Sequence, residues 1–330
     1  MEAVAAFNTA VLLVLLSSAV LLFYVYRRNR VIQTHVSKLM IYPVKSCGGI
    51  SVDNWTVGEK GLYLDREWLI VRESDKKFCT QRELPKMALI NTSFSKDMKH
   101  LILSNPQLNN HSLIIDYEES TLNKNVVQIT LWGSQYDAID LGDESAQWVS
   151  EAMKMKVRIV RCTQDSTRTA PEKYGPTIVQ QRGTTRTSFP DAFPVLLASE
   201  KSMTDLSNRI SNTKHSIIRF RPNIIVDGSI LIPYEEDGWD QVLIGKSGMF
   251  HSATQCLRCT VPNVNPDLGV KDAPVQETLF KYRTETTTNK VSFGLYVLPD
   301  KALVGKSIKV GQLIKVIGER EKMTATAKVQ

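Results

Sequence analysis

Two thiols with a guanidinium between them form the most reactive grouping in the sequence. Cys256-Leu-Arg258-Cys259 runs into Thr-Val-Pro-Asn-Val-Asn-Pro-Asp-Leu-Gly269. Pro262, Asn263, Asn265, Pro266, Asp267 and Gly269 are turn formers, so the thiols stand beside a loop. A cation next to a thiol favours the thiolate, which is both a nucleophile and a soft-metal ligand. The same spacing also fits half a zinc site, a redox pair or two packed small hydrophobes. His251 with Cys256 and Cys259 gives three possible zinc ligands, but no fourth stands at a structural-zinc spacing.

A second grouping is Ile41-Tyr-Pro-Val-Lys45-Ser46-Cys47-Gly48-Gly49. An ammonium, a hydroxyl and freely oriented glycine N–H groups make an anion cradle, although the same residues also make an ordinary turn. It is not a phosphate-binding loop of the Walker type, because no glycine stands at position 39 or 44, and no Gly-x-Gly-x-x-Gly occurs in the chain. Arg66 stands at a strand start in Leu64-Asp-Arg-Glu-Trp68. Arg221 does the same in Arg219-Phe-Arg-Pro-Asn223, where Pro222 is expected to hold it extended. Arginines so placed make surface ion pairs or grip a phosphate or carboxylate with both arms of the fork.

The elements that must position these groups are mostly short strands. Apolar runs between turn residues predict strands over 36–42, 67–72, 101–103, 112–116, 126–132, 157–161, 223–226, 241–244, 291–297 and 313–317. A helix capped by Asp143 runs to about Lys154, with Trp148, Val149, Ala152 and Met153 on its apolar face. Another begins at Ser199 with Met203, Leu206 and Ile210 on one side, and a short one follows Pro274. The stretch from Thr163 to Phe189 is polar and basic without periodicity, as in a long loop. The fold class is therefore α+β and β-rich, with a barrel as one way to bury the strand edges.

Composition narrows the function. The chain has 330 residues, 42% hydrophobic and 23% charged, which fits a globular protein of about two domains. The net charge of +7 is spread out, with no arginine-rich run interleaved with aromatics, so no nucleic acid is expected as partner. Five cysteines, an odd number, indicate a reducing compartment rather than a disulfide framework. Ala3 to Tyr26 is apolar except for Asn8, Thr9, Ser17 and Ser18, long enough for one transmembrane helix. Arg27, Arg28 and Arg30 follow, which places the body in the cytosol and argues against a cleaved signal peptide.

Five short motifs occur in one order: Tyr42-Pro-Val-Lys-Ser-Cys47, Asp65-Arg66-Glu67-Trp68, Thr80-Gln-Arg-Glu83, Phe220-Arg-Pro-Asn-Ile224, and Arg258-Cys259 followed by Asn265-Pro-Asp-Leu-Gly269. From about residue 35 to 318 the chain resembles the MOSC-domain molybdenum enzymes, named for the molybdenum cofactor sulfurase C-terminal domain. With the N-terminal apolar stretch it looks most like the mitochondrial amidoxime-reducing components. The resemblance implies a membrane anchor at 1–30, a MOSC N-terminal β-rich domain at 35–160, a MOSC β-barrel domain at 161–318 and a flexible tail at 319–330. It implies Mo-molybdopterin, the molybdenum cofactor, with Cys259 as metal ligand and catalytic residue and Cys256 as a packed, non-ligating thiol. Lys45, Ser46, Arg66 and Arg221 match positions that grip this cofactor, with Asn223 and Arg258 beside them.

The implied activity is reduction of amidoximes, hydroxylamines and N-hydroxylated bases to amidines or amines. Electrons would come from NADH through cytochrome b5 reductase and cytochrome b5, and the chain carries no flavin, haem or nicotinamide motif of its own. The implied location is the mitochondrial outer membrane, single-pass, with the body facing the cytosol. Two other readings are a MOSC-type sulfur carrier with Cys259 as persulfide and a non-enzymatic membrane adaptor. The chain departs from its relatives at Asp191-Ala-Phe-Pro194, where they carry Asp-Thr-Ser-Pro, so the hydroxyl donors at 192 and 193 are lost.

Overall fold

The structure, a computed structural model, describes residues 17–18, 34–109, 111–118, 125–163, 168–169, 186–211, 214–285 and 289–320. Its main strands are β1 (Thr34–Ile41), β2 (Trp68–Arg72), β3 (Val126–Leu131), β4 (Ser134–Asp140), β5 (Val157–Cys162), β6 (Val195–Ser199), β7 (Ile224–Gly228), β8 (Trp239–Ile244), β9 (Gly248–Leu257), β10 (Ser292–Pro299) and β11 (Leu313–Glu319). Three helices join them: α1 (Gly142–Met153), α2 (Glu200–Ile210) and α3 (Val275–Phe280).

Seven strands close into a barrel in the order β1-β7-β6-β10-β9-β8-β11 and back to β1. Closure depends on β1, which pairs with β7 along one edge (Thr34 opposite Gly228, Leu39 opposite Ile224) and with β11 along the other (Thr34 opposite Ile314). A closed sheet has no edge left to pair with another chain. The first strand of the body thus completes a barrel whose other six staves come from the second half of the chain, while Ile50–Val52 pairs with β1 outside that ring. Neighbouring staves are antiparallel except β6 and β7, which are parallel and joined through α2. Val36, Val195, Leu197, Ile224, Val226, Phe250, Leu295 and Val297 fill the interior.

β9, the longest strand, lies where no strand was expected. Its register shifts between Ser252 and Thr254 and again between Gln255 and Leu257. Each bulge flips the face that a residue points to, and both Ser252 and Gln255 end up buried. The inward residues therefore never form a clean alternation in the sequence.

A second sheet runs β2-β5-β4-β3. α1 lays Trp148, Val149, Ala152 and Met153 against Trp68, Ile70, Val157 and Ile159, together with a small meander of Asn91–Phe94, His100–Ser104 and Leu113–Asp116. Asp143 does not cap α1, contrary to expectation. Leu141 holds the cap position, Asp140 Oδ1 accepts the Gly142 N–H at 2.9 Å, and Asp143 takes Arg158 instead. α2 is capped as expected, with Ser199 Oγ accepting the Lys201 N–H at 3.1 Å.

The last strand runs through Glu319, opposite Trp239, and the Arg320 N–H donates to Gly238 O at 2.8 Å. Residues 321–330, most of the loop expected over 163–189, and residues 3–26 apart from Ser17 and Ser18 lie outside the described residues. Among the described residues no helix is long and apolar enough to cross a membrane.

Because β1 begins at Thr34, deleting residues 1–30 is expected to leave a soluble, cooperatively folded protein. Deleting residues 1–41 removes the stave between β7 and β11, opens two edges and should give aggregates. Circular dichroism melts and size-exclusion chromatography of the two truncations check this. A monomeric, cooperative 1–41 deletion would show that closure by β1 is dispensable.

Candidate functional site

The segments that follow β1 and β9 and those that precede β6 and β7 come together. One cleft there is lined by Lys45, Ser46, Arg66, Arg221, Asn223, Arg258 and Cys259. The residues that the resemblance assigned to the cofactor come together, although Lys45 and Cys259 stand 214 positions apart. Lys45 N–H donates to Trp68 O at 2.9 Å, which ties the chain leaving β1 to β2 and sets the cleft between the two sheets.

The centre of the site is a buried charged node. Asp65 Oδ1 accepts the Tyr42 N–H at 2.8 Å and Asn223 Nδ2 at 3.0 Å, while its other oxygen pairs with Arg66. Arg66 also donates to Asn223 Oδ1 at 2.8 Å and to Arg221 O at 2.7 Å. Asn223 spends its remaining capacity on Met40 O and the Leu196 N–H. Its amide thus holds Arg66 and the strand ends in place. Arg221 donates to Cys47 O, and the guanidinium carbons of Arg66 and Arg221 lie 4.5 Å and 4.3 Å from the centre of the Tyr42 ring. Loss of hydration, with the Arg66 guanidinium close by, pushes Arg221 down to about 10. Burial pushes Asp65 up, against the pull of Arg66.

Three of these residues adopt a left-handed backbone: Ser46 (φ 66°), Arg66 (φ 51°) and Arg221 (φ 55°). Non-glycine residues there cost energy and gather at functional sites. Arg221 is thus not extended, as Pro222 led one to expect. It ends the 3₁₀ turn Ile217–Phe220, its N–H donating to Ile218 O at 2.9 Å, which turns its side chain toward the 44–47 loop.

The 45–49 loop differs from the free cradle expected. Gly48 N–H is spent on Ile90 O at 2.8 Å. Gly49 is required because a Cβ would lie 2.5 Å from the Tyr42 ring. The buried Lys45 ammonium donates to Phe189 O at 2.8 Å and pairs with Asp191. Burial lowers the Lys45 pKa, and Asp191 opposes this. Partial burial raises the Asp191 carboxyl, but Lys45 outweighs it and holds the group below the ordinary range. Among the described residues the Ser46 hydroxyl makes no hydrogen bond. Ala192 and Phe193 are buried, and the Phe193 ring sits 5.3 Å from that of Tyr296, giving the cleft an apolar wall.

The two thiols are unlike. Cys256, near the end of β9, is buried, and burial raises its pKa. Cys259 follows the strand and is the only one of the five free cysteines that is not buried. Between them, Arg258 N–H donates to Val291 O at 2.7 Å, while its guanidinium donates to Phe293 O and Phe220 O. Arg258 Nη2 is buried with no hydrogen-bond partner. His251 lies toward the opposite end of β9, bonded to Asp300 at 3.0 Å. Among the described residues no group of three or more His, Cys, Asp or Glu could hold a metal, which removes the zinc reading.

Sequence reasoning passed over Asp65, the counter-ion of the node, and Tyr42, the ring between the arginines. It also missed Arg219, buried and paired with Asp272 at 2.8 Å behind the cysteine loop. Asp65 stands directly before Arg66 in the motif, and a carboxylate beside a candidate cofactor arginine was the available signal.

Residues 33–156 match the MOSC N-terminal beta barrel domain family, and residues 184–315 match the MOSC domain family. The chain belongs to the MOSC-domain family. It is 35% identical to mitochondrial amidoxime reducing component 2 of Bos taurus, over 86% of this chain and 84% of that protein. The corresponding Homo sapiens protein is 33% identical over the same shares. A molybdenum cofactor sulfurase of Oryza sativa subsp. japonica is 29% identical over 85% of this chain but only 35% of that protein.

Asp65→Ala leaves the Arg66 guanidinium buried without its carboxylate. It is expected to cost about 3–5 kcal/mol of stability, as breaking one side of a buried pair does. Urea unfolding of the variant checks this, and a loss under about 1 kcal/mol would show that Asn223 and the backbone carbonyls suffice.

Proposed function

We propose that this chain is a molybdenum-cofactor-dependent oxidoreductase that reduces N-hydroxylated compounds to amines or amidines. The observation that carries the reading is one partly exposed thiol, Cys259, on a cleft lined by five cations and one carboxylate. Lys45, Arg66, Arg219, Arg221 and Arg258 are the cations and Asp191 the carboxylate, while Asp65 and Asp272 pair with Arg66 and Arg219 from outside the lining. Such a surplus suits a group carrying a phosphate, and a partly exposed thiol suits a soft metal. Arg258 Nη2 and the Ser46 hydroxyl supply donors for polar atoms of the same group.

When bound, the molybdenum cofactor supplies the two-electron, two-proton conversion of an N–OH group to N–H with release of water. The protein's part is to bind and orient. Cys259 offers the thiolate ligand, Lys45 and Arg221 grip the phosphate end, and Asn223 positions Arg66. Phe193 and Tyr296 exclude water from one wall.

The names of the relatives support the activity class and a mitochondrial location. The apolar stretch 3–26, with the arginines after it, supports a single-pass anchor in the outer membrane with the body in the cytosol. Electrons are proposed to come from NADH through cytochrome b5 reductase and cytochrome b5. The likeness to sulfurases favours a second reading, Cys259 as a persulfide carrier. Bound molybdenum in protein purified from a host that makes molybdopterin separates the two, since a carrier needs no metal.

Arg221→Ala is expected to lower cofactor content, and Arg221→Lys to restore it only in part, because an ammonium lacks the fork. Molybdenum and pterin analysis of both variants checks this. Full occupancy in the alanine variant would assign Arg221 to the fold alone.

Cys259→Ala is expected to abolish N-reduction, whereas Cys256→Ala keeps most of it. Cys259→Ser, nearly equal in volume, should fold normally and turn over far more slowly. Assays with an artificial electron donor measure this. Near-normal turnover in Cys259→Ala would end the proposal.

A further inference from the structure

A groove that is both basic and apolar lies at the start of β9, the end of that strand far from Cys259. Lys246, in the turn between β8 and β9, Lys306, Gln312 and Leu313 line it, and none of its lining residues is a carboxylate. Lys309 adds a further exposed ammonium close by. Leu313 is 63% exposed, and Val304 and Val310 are 38% exposed each. The bordering carboxylates are Asp53 and Asp300, and Asp300 is engaged by His251 and by the Ala302 N–H.

This groove is built onto the first residues of β1. Leu313 pairs with His35, Gly245 N–H donates to Leu313 O at 2.8 Å, Gly311 N–H donates to Val36 O and Val36 N–H donates to Gln312 O. Aliphatic side chains ringed by lysines fit the boundary between headgroups and acyl chains, where ammoniums meet phosphates and apolar tips are sheltered. The covalent chain limits the distance. Thr34 stands four residues after Arg30, the last of the arginines behind the apolar stretch, and four residues reach at most about 14 Å.

We propose that this groove and its rim rest on the anionic lipid surface of the bilayer that holds residues 3–26. The proposal rests on the anchor reading above. It has a consequence for access: the groove adjoins the start of β1, which is eight residues and roughly 26 Å long, and Lys45 and Ser46 of the cleft follow its other end. The candidate site then opens on the side away from the membrane.

The test uses the full chain, one copy per lipid nanodisc, with phosphatidylcholine alone or mixed with phosphatidylserine. Backbone amide hydrogen exchange is followed at 245–247 and 304–313, with 258–264 as the control at the other end. The expected result is severalfold slower exchange at the first two segments in the mixed discs only. Combining Lys246→Glu, Lys306→Glu and Lys309→Glu should remove the difference. Carbonate extraction from vesicles reports the anchor separately. A chain that resists extraction yet shows no lipid-dependent protection overturns the proposal and leaves the anchor reading standing. A chain released by carbonate overturns the anchor reading itself. Equal protection in both kinds of disc, or in detergent, points to a second copy or to uncharged contact and also overturns the proposal.

Discussion

The structure depends on one buried carboxylate. Asp65 lies in the turn before β2 and holds the Tyr42 N–H at the end of β1, the Asn223 amide before β7 and the Arg66 guanidinium. Three chain segments that are distant in sequence meet on its two oxygens. A buried ion pair of this kind contributes little net stability over an apolar substitute, but losing one partner is costly. What it supplies is position: Arg66 cannot move without leaving a carboxylate stranded.

That constraint explains the electrostatics of the cleft. Arg66 and Arg221 flank the same ring, two cations that repel one another in a poorly hydrated place. Asp65 balances Arg66, whereas the hydrogen bonds of Arg221 run to the Cys47 and Val44 carbonyls, which fix it without neutralising it. Lys45 has its own carboxylate in Asp191, whereas Arg258 has only carbonyls. The excess positive charge and the left-handed backbone at Ser46, Arg66 and Arg221 are both costs of the folded state. An anionic ligand would offset the first, and the precise placement of its donors is what the second achieves.

The barrel adds polarity of direction. β1 and β9 both begin beside the basic groove, and the residues that follow each of them line the cleft. The start of β1 at the groove end means that whatever precedes Thr34 joins the body on the side away from Cys259. Access to the thiol and attachment of the chain are thus kept apart by the length of a strand.

The sequence by itself determined the type of the elements it located and which residues the site would gather. Apolar runs between turn residues located about half of the described strands, β4, β6 and β9 not among them, Ser199 marked the start of α2, and Lys45, Ser46, Arg66, Arg221, Asn223, Arg258 and Cys259 of the cleft were named through the motifs. These signals are local, and local chemistry is what a sequence spells out. Tertiary structure alone decided that β1 closes the barrel, since a strand's partners depend on which edges remain open. It also decided that β9 is a strand despite its buried Ser252 and Gln255, because the bulges that turn them inward follow from pairing with β10. The roles of Asp65, Asn223 and Tyr42 were likewise hidden. Each is defined by neighbours brought from elsewhere in the chain, and desolvation, which gives their contacts weight, exists only once the chain has folded around them.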